Sequence, residues 1–162
     1  MYGVGFGFGL SKHAGSYQSE TILNQIESFS SFRIIALDFK AGWGFGPVQA
    51  LYTLKVTPAN STISPYKSFY QGIILSYSSQ KNLIYSAGAG INKAGDKTGN
   101  LSRGTLVNLA LGYEFNPKFL LEVNTLFGKM ENTPPPDTYL NSNSEFSFVV
   151  TINYLFYRDA QE

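Results

Sequence analysis

His13 is the one histidine of the chain, and Ser11 and Ser16 stand close to it. A serine beside a histidine is the beginning of a nucleophilic hydrolase. That chemistry also needs a carboxylate to orient the ring, and all three groups on one accessible wall. Ser11 falls on the inward face of its strand by alternation, and His13 follows in what reads as a loop, so no catalytic residue is assigned. With one His and no Cys, the usual metal ligands are missing, and neither a metal nor a cofactor is expected.

Charged residues form two sets. Asp38, Lys40, Lys55, Glu114 and Glu122 alternate with apolar residues and so share the polar face of their segments, with Glu145 toward one end. Paired carboxylates could act as acid and base, but no pattern sets Glu114 and Glu122 on either side of a cleft. Lys12, Arg33, Lys67, Lys93, Arg103 and Lys129 have the opposite parity and fall among the apolar residues, each near one end of its segment.

The elements that position these groups are strands. Segments of about 2–12, 31–43, 47–56, 67–78, 82–93, 103–115, 119–129 and 145–157 alternate apolar and small or polar residues, the period of a two-faced strand. Tyr2, Val4, Phe6, Phe8 and Leu10 oppose Gly3, Gly5, Gly7 and Gly9 in the first. Ile35, Leu37, Phe39, Ala41 and Trp43 oppose Asp38 and Lys40 in the second. Between segments, short turns (Gly44-Phe45-Gly46, Ser79-Gln80-Lys81, Asn116-Pro117-Lys118) alternate with longer connections at 13–30, 57–65, 94–102 and 130–144. Ile22, Leu23, Ile26 and Phe29 suit a short helical turn or an extended hairpin, and Pro134, Pro135 and Pro136 a stiff extended stretch.

Composition decides which face is outside. Of 162 residues 43% are hydrophobic, and only 14% are charged, against roughly 25% in soluble domains. Apolar runs stop far short of the ~18 residues of a membrane helix. A solvated exterior would carry Lys and Glu, whereas the polar face here is mostly Gly, Ser and Asn, which suit a crowded lumen. The expectation is all-β: an eight-stranded antiparallel up-and-down transmembrane β-barrel, one domain over 1–162, with short periplasmic turns and longer external loops. The glycine stripe of the first strand is expected to make room for bulk from the far wall, such as Tyr70 or Lys40, with a bound ligand as the alternative. A net charge of +1 argues against a nucleic-acid partner. Met1 runs straight into alternation, which reads as a mature form with an added or retained Met.

Two stretches carry a family resemblance. Phe146-Ser147-Phe148-Val149-Val150-Thr151-Ile152-Asn153-Tyr154-Leu155-Phe156 resembles the closing strand of outer-membrane barrels. Leu111-Gly112-Tyr113-Glu114-Phe115-Asn116-Pro117-Lys118-Phe119-Leu120-Leu121-Glu122 is similar to a strand-turn-strand of the OmpX, Ail and OmpA-membrane-domain superfamily. Such barrels commonly stop at the terminal aromatic, whereas this chain continues with Tyr157-Arg158-Asp159-Ala160-Gln161-Glu162.

With the fold so placed, both charged sets acquire expected roles. Asp38, Lys40, Lys55, Glu114 and Glu122 become a lumen ion-pair network, or less simply a proton or ion path. The six outward cations become an interfacial collar that either snorkels or binds lipopolysaccharide anions. Trp43, Tyr77, Tyr85, Tyr113, Phe119 and Tyr154 form one aromatic girdle, and Phe69, Phe127 and Phe146 the other. The implied protein is a bacterial outer-membrane monomer with periplasmic termini, structural or adhesive. Its partners are outer-membrane lipid and lipopolysaccharide, and a host or surface partner is reached through loops 13–30 and 130–144. A lipid A-modifying enzyme, a narrow channel and a soluble lipocalin-like carrier are the alternatives.

Overall fold

The computed structural model describes residues 2–19, 22–58, 67–79, 81–95, 101–133 and 140–157. Eight strands follow in chain order: β1 (Tyr2–Ser19), β2 (Ile22–Phe45), β3 (Val48–Thr57), β4 (Lys67–Ser78), β5 (Leu83–Gly95), β6 (Leu101–Asn116), β7 (Phe119–Thr133) and β8 (Leu140–Tyr157). Each pairs antiparallel with its sequence neighbours, and β1 pairs with β8, which closes the barrel. Closure satisfies the backbone of every strand, the requirement hydrocarbon imposes.

The stagger can be followed residue by residue. Tyr2 pairs with Ala41, and the row continues through Tyr52, Ile73, Ala89, Val107, Phe127 and Phe146. Phe146 then pairs with Lys12, so one circuit climbs ten residues along β1. Such a shear tilts eight strands by about 40°. Apart from the small Ala41 and Ala89 and the closing Lys12, the row is a spiral of large apolar side chains on the outer wall. Phe6 and Ile73 on that wall are each 64% exposed and Trp43 is 83% exposed, an arrangement for lipid and not for water.

Tight turns follow the local chemistry. Gly46 takes a left-handed φ of 57° between β2 and β3, a conformation glycine adopts without steric cost. Between β6 and β7, Lys118 N–H donates to Asn116 Oδ1 at 2.8 Å, an Asx turn. At this turn end, Phe115, Phe119, Tyr154, Phe156 and Tyr2 make consecutive ring contacts of 5.1–5.7 Å between centroids. Phe119 and Tyr154 of the expected girdle thus belong to a continuous aromatic chain from β6 round to β1.

Three features differ from the sequence expectation. The 13–30 connection is almost entirely strand, because β1 runs to Ser19, and β2 starts at Ile22 with Ser19 paired to Ile22. It is an extended hairpin, which excludes the helical turn and places His13 in β1. Likewise β7 runs to Thr133 and β8 begins at Leu140, so much of 130–144 is strand; Pro134, Pro135 and Pro136 lie outside the described residues. Apolar alternation marks only the part of a strand that meets lipid, whereas backbone pairing continues wherever a partner strand does.

The second difference is a bulge. Gly5 pairs with Asp38 but Gly7 with Ile35, so β2 carries one extra residue at Ala36–Leu37. A bulge inverts parity beyond it. Ile35 therefore turns inward at 0% exposure, and so does Arg33 at 3%. Neither sits on the lipid wall where strict alternation placed it.

The third is the lumen itself, which is more apolar than expected. Ile84, Leu120 and Leu155 pack together near the turn end. Tyr70, Ala94, Leu106, Leu126 and Met130 form a second cluster nearer the loop end. At the glycine stripe the nearest atoms a side chain would meet belong to the adjacent strand β8. A Cβ at Gly3 would lie 2.9 Å from Leu155 Cδ2. At Gly5 it would strike Asn153, and at Gly7 Thr151 and the β8 backbone.

Candidate functional site

Four of the five expected lumen charges meet at mid-barrel. Lys55 Nζ donates to Asp38 Oδ2 at 2.7 Å, across the pair that joins β2 to β3. Lys40 lies 3.9 Å from the same carboxylate oxygen and makes an ion pair with Glu122, which reaches in from β7. Asn153 Nδ2 adds a 3.0 Å hydrogen bond to Glu122 Oε2. All four charges are buried. Buried ions are tolerated when paired and hydrogen-bonded, and this quartet has two of each sign. Glu114 is buried nearer the turn end, opposite Leu120 in the register.

Sequence reasoning missed a second ionic centre toward the loop end, built on Arg33. Its Nη1 donates to Glu145 Oε1 at 2.5 Å and to Ser147 Oγ at 2.8 Å. Nε donates to Thr57 Oγ1 at 3.0 Å, and Nη2 to Ser68. Asn92 Nδ2 donates to the other Glu145 oxygen at 2.8 Å, and Ser11 and Ser147 share a hydrogen bond. Residues of six strands converge on one guanidinium–carboxylate pair. The planar fork of arginine suits this better than lysine would. The legible signal was the inward set Ser11, Ser68, Asn92 and Ser147, which implies a polar centre at that height.

From turn end to loop end the lumen therefore stacks an apolar layer, the lysine–carboxylate quartet, the Tyr70–Leu106–Leu126 layer and the Arg33–Glu145 centre. Ser11 Oγ, the expected partner of His13, is buried in that last centre against Ser147. Its hydroxyl faces away from lipid. The His13 side chain lies outside the described residues.

On the outer wall, Lys12, Lys67, Lys93, Arg103 and Lys129 are all exposed. Given the stagger, these five positions lie within about 3 Å of one level along the barrel axis. Lys93 is directly opposite Arg103, and Phe69 opposite Lys93. Thr105 faces Lys129, and Arg103 faces Glu131. At the same level the outward residues of β2 and β8 are Phe32 and Phe146. The five exposed cations share this level, one on each of β1, β4, β5, β6 and β7. A space of about 380 Å³ lies at the loop end of β3–β5, lined both by outward residues (Val56, Lys67, Phe69, Lys93) and by the inward Thr57, Ser68 and Ala94.

A closed eight-stranded barrel with an apolar exterior and an ion-paired interior defines the class: an outer-membrane-type β-barrel. Solved structures of that class are similar over nearly the whole chain. Ail, the attachment invasion locus protein of Yersinia pestis, is 10% identical, with a TM-score of 0.56 over 94% of this chain and 96% of that one. The outer membrane protein OprG of Pseudomonas aeruginosa is 13% identical, with a TM-score of 0.50 over 96% of each. No family model and no curated protein matches the sequence.

Proposed function

We propose that this protein is a sealed, non-enzymatic barrel of the bacterial outer membrane that acts at the cell surface through its loop-end strands. In this reading the termini are periplasmic, and the collar contacts lipopolysaccharide in the outer leaflet. The observation that carries the reading is the β1–β2 hairpin. β1 and β2 have 18 and 24 residues, whereas a tilted strand crosses a bilayer in about 9–11. The lipid-facing apolar pattern ends near Leu10 and Phe32, so the remainder of the hairpin stands beyond the membrane. A paired ribbon of mixed polar and apolar residues beyond the membrane is a ready interaction surface.

The filled lumen weighs against a channel, and the inward Ser11 weighs against lipid hydrolysis. Ail, a fold neighbour, is named for attachment and invasion, which makes adhesion the first activity to measure. Replacing residues 15–27 with a short turn leaves the membrane-spanning part intact. Bacteria displaying the shortened protein are expected to lose binding to epithelial cells and matrix proteins. Adhesion equal to the parent, with equal surface display, would rule out the hairpin as the working surface.

A further inference from the structure

We infer that the lipid-facing wall around β4 and β5 is a contact surface for a second copy of this chain, centred on Gln71. Two barrels stand side by side, related by a two-fold axis along the membrane normal, and their Gln71 amides hydrogen-bond to each other beside that axis. The sequence reads as a monomer, and one side chain on the outer wall argues for the pair.

Gln71 has outward parity on β4, where its register partners are Leu54 on β3 and Ile91 on β5. Along the strand it stands between Tyr77 at the turn-end girdle and Lys67 at the loop-end level, near the middle of the ~25 Å apolar band. Asn108, Asn124 and Asn153, by contrast, bury their amides in the lumen. Gln71 Oε1 accepts from the Tyr52 hydroxyl at 3.3 Å. Among the described residues nothing accepts from its two N–H groups. Acyl chains offer no acceptor, and an amide donor left unpaired in hydrocarbon is costly. A primary amide is its own complement, because it carries both donors and an acceptor. A two-fold axis along the normal keeps every residue at its own depth, so Gln71 meets its counterpart and two N–H···O=C bonds are exchanged. Tyr52 occupies one lone pair of Oε1 and leaves the other for the incoming donor.

The relief of the wall fits the same axis. Ile73 and Leu75 on β4 are 64% and 59% exposed, and their register partners on β5 are the small Ala89 and Ala87. A ridge on β4 therefore runs beside a hollow on β5. With the axis between these strands, the ridge of each copy faces the hollow of the other. Small residues at such a contact let backbones approach, and polar side chains hold it. One term opposes association: Lys67 and Lys93 of both copies gather above the contact, where like charges repel and salt screens them.

The test uses the full chain refolded into phosphatidylcholine vesicles, in salt that screens Lys67 and Lys93. Copies carrying Ser30→Cys are labelled with donor or acceptor dye, and energy transfer is followed as protein is diluted with lipid. Transfer is expected to exceed that of random encounters and to saturate as a dimer. Gln71→Leu should weaken association about tenfold, the scale of two hydrogen bonds within a membrane. Ala89→Trp, which fills the hollow, should weaken it as well. Thr125→Leu removes a polar side chain from the outward face of β7, on another wall, and should leave association unchanged. Heat-modifiable migration confirms that each variant has folded. A cysteine at Ala89→Cys should cross-link two copies, whereas one at Thr125→Cys should not. Transfer no greater than random, association unaltered by Gln71→Leu, an equal loss in Thr125→Leu, or equal cross-linking at both positions would overturn the inference.

Discussion

Arg33 and Glu145 lie on strands separated by β1, yet their side chains meet at 2.5 Å inside the lumen. That contact exists because a single extra residue in β2 reverses the facing of everything above it. Without the bulge, Arg33 would stand on the lipid wall and Glu145 would be a buried carboxylate lacking its cation. The pair links the bulge to barrel closure.

Glu145→Ala is expected to cost about 3–5 kcal/mol, the penalty for leaving a buried charge unmatched. The double variant Arg33→Met with Glu145→Leu should recover most of that loss, since apolar replacement of a buried pair is often near neutral. Urea unfolding in vesicles, followed by the single Trp43, measures both; additive losses would contradict the pairing.

Because Tyr70, Leu106 and Leu126 close the lumen between two ionic centres, the protein is expected to give no conductance steps in planar bilayers. Replacing all three with Ala should produce resolvable steps. Conductance in the unmodified protein would refute the sealed lumen.

Asn108 is buried, and neither amide atom has a hydrogen-bond partner among the described residues. A buried unsatisfied polar group costs roughly 1–3 kcal/mol. Asn108→Leu, similar in size, should therefore raise the urea midpoint. A fall in the midpoint would show that the amide is held by contacts that stabilise the barrel.

Two glycines separate close approach from backbone need. Gly7→Val collides with Thr151 and the β8 backbone, and overpacking of this kind costs about 1–3 kcal/mol. Gly46→Ala has open space but a left-handed φ, so its cost is limited to about 1 kcal/mol. Refolding yield and urea midpoints should rank the two in that order.

The lipid-meeting part of the fold was legible because parity is a local property. Phe146, Phe148, Val150 and Ile152 declare their face without reference to any other strand. Asp38, Lys40, Lys55 and Glu122 were legible as inward for the same reason. Arg33 was not, since a bulge depends on the register of β1 against β2 and leaves no mark in composition. The hairpin above Lys12 was legible only as one of two alternatives, because pairing there requires a partner strand and not an apolar face. The levelling of Lys67, Lys93, Arg103 and Lys129 is a product of shear, which only the closed barrel defines.

The central claim is that apolar residues of alternate parity face lipid while their neighbours face a packed lumen. The chain has no cysteine, so single Cys substitutions along β6 from 106 to 113 can each carry one spin label. Oxygen accessibility in bilayers is predicted to alternate with a period of two, high at 107, 109, 111 and 113 and low at 106, 108, 110 and 112. Accessibility that is flat along the strand, or highest at the even positions, would contradict the account.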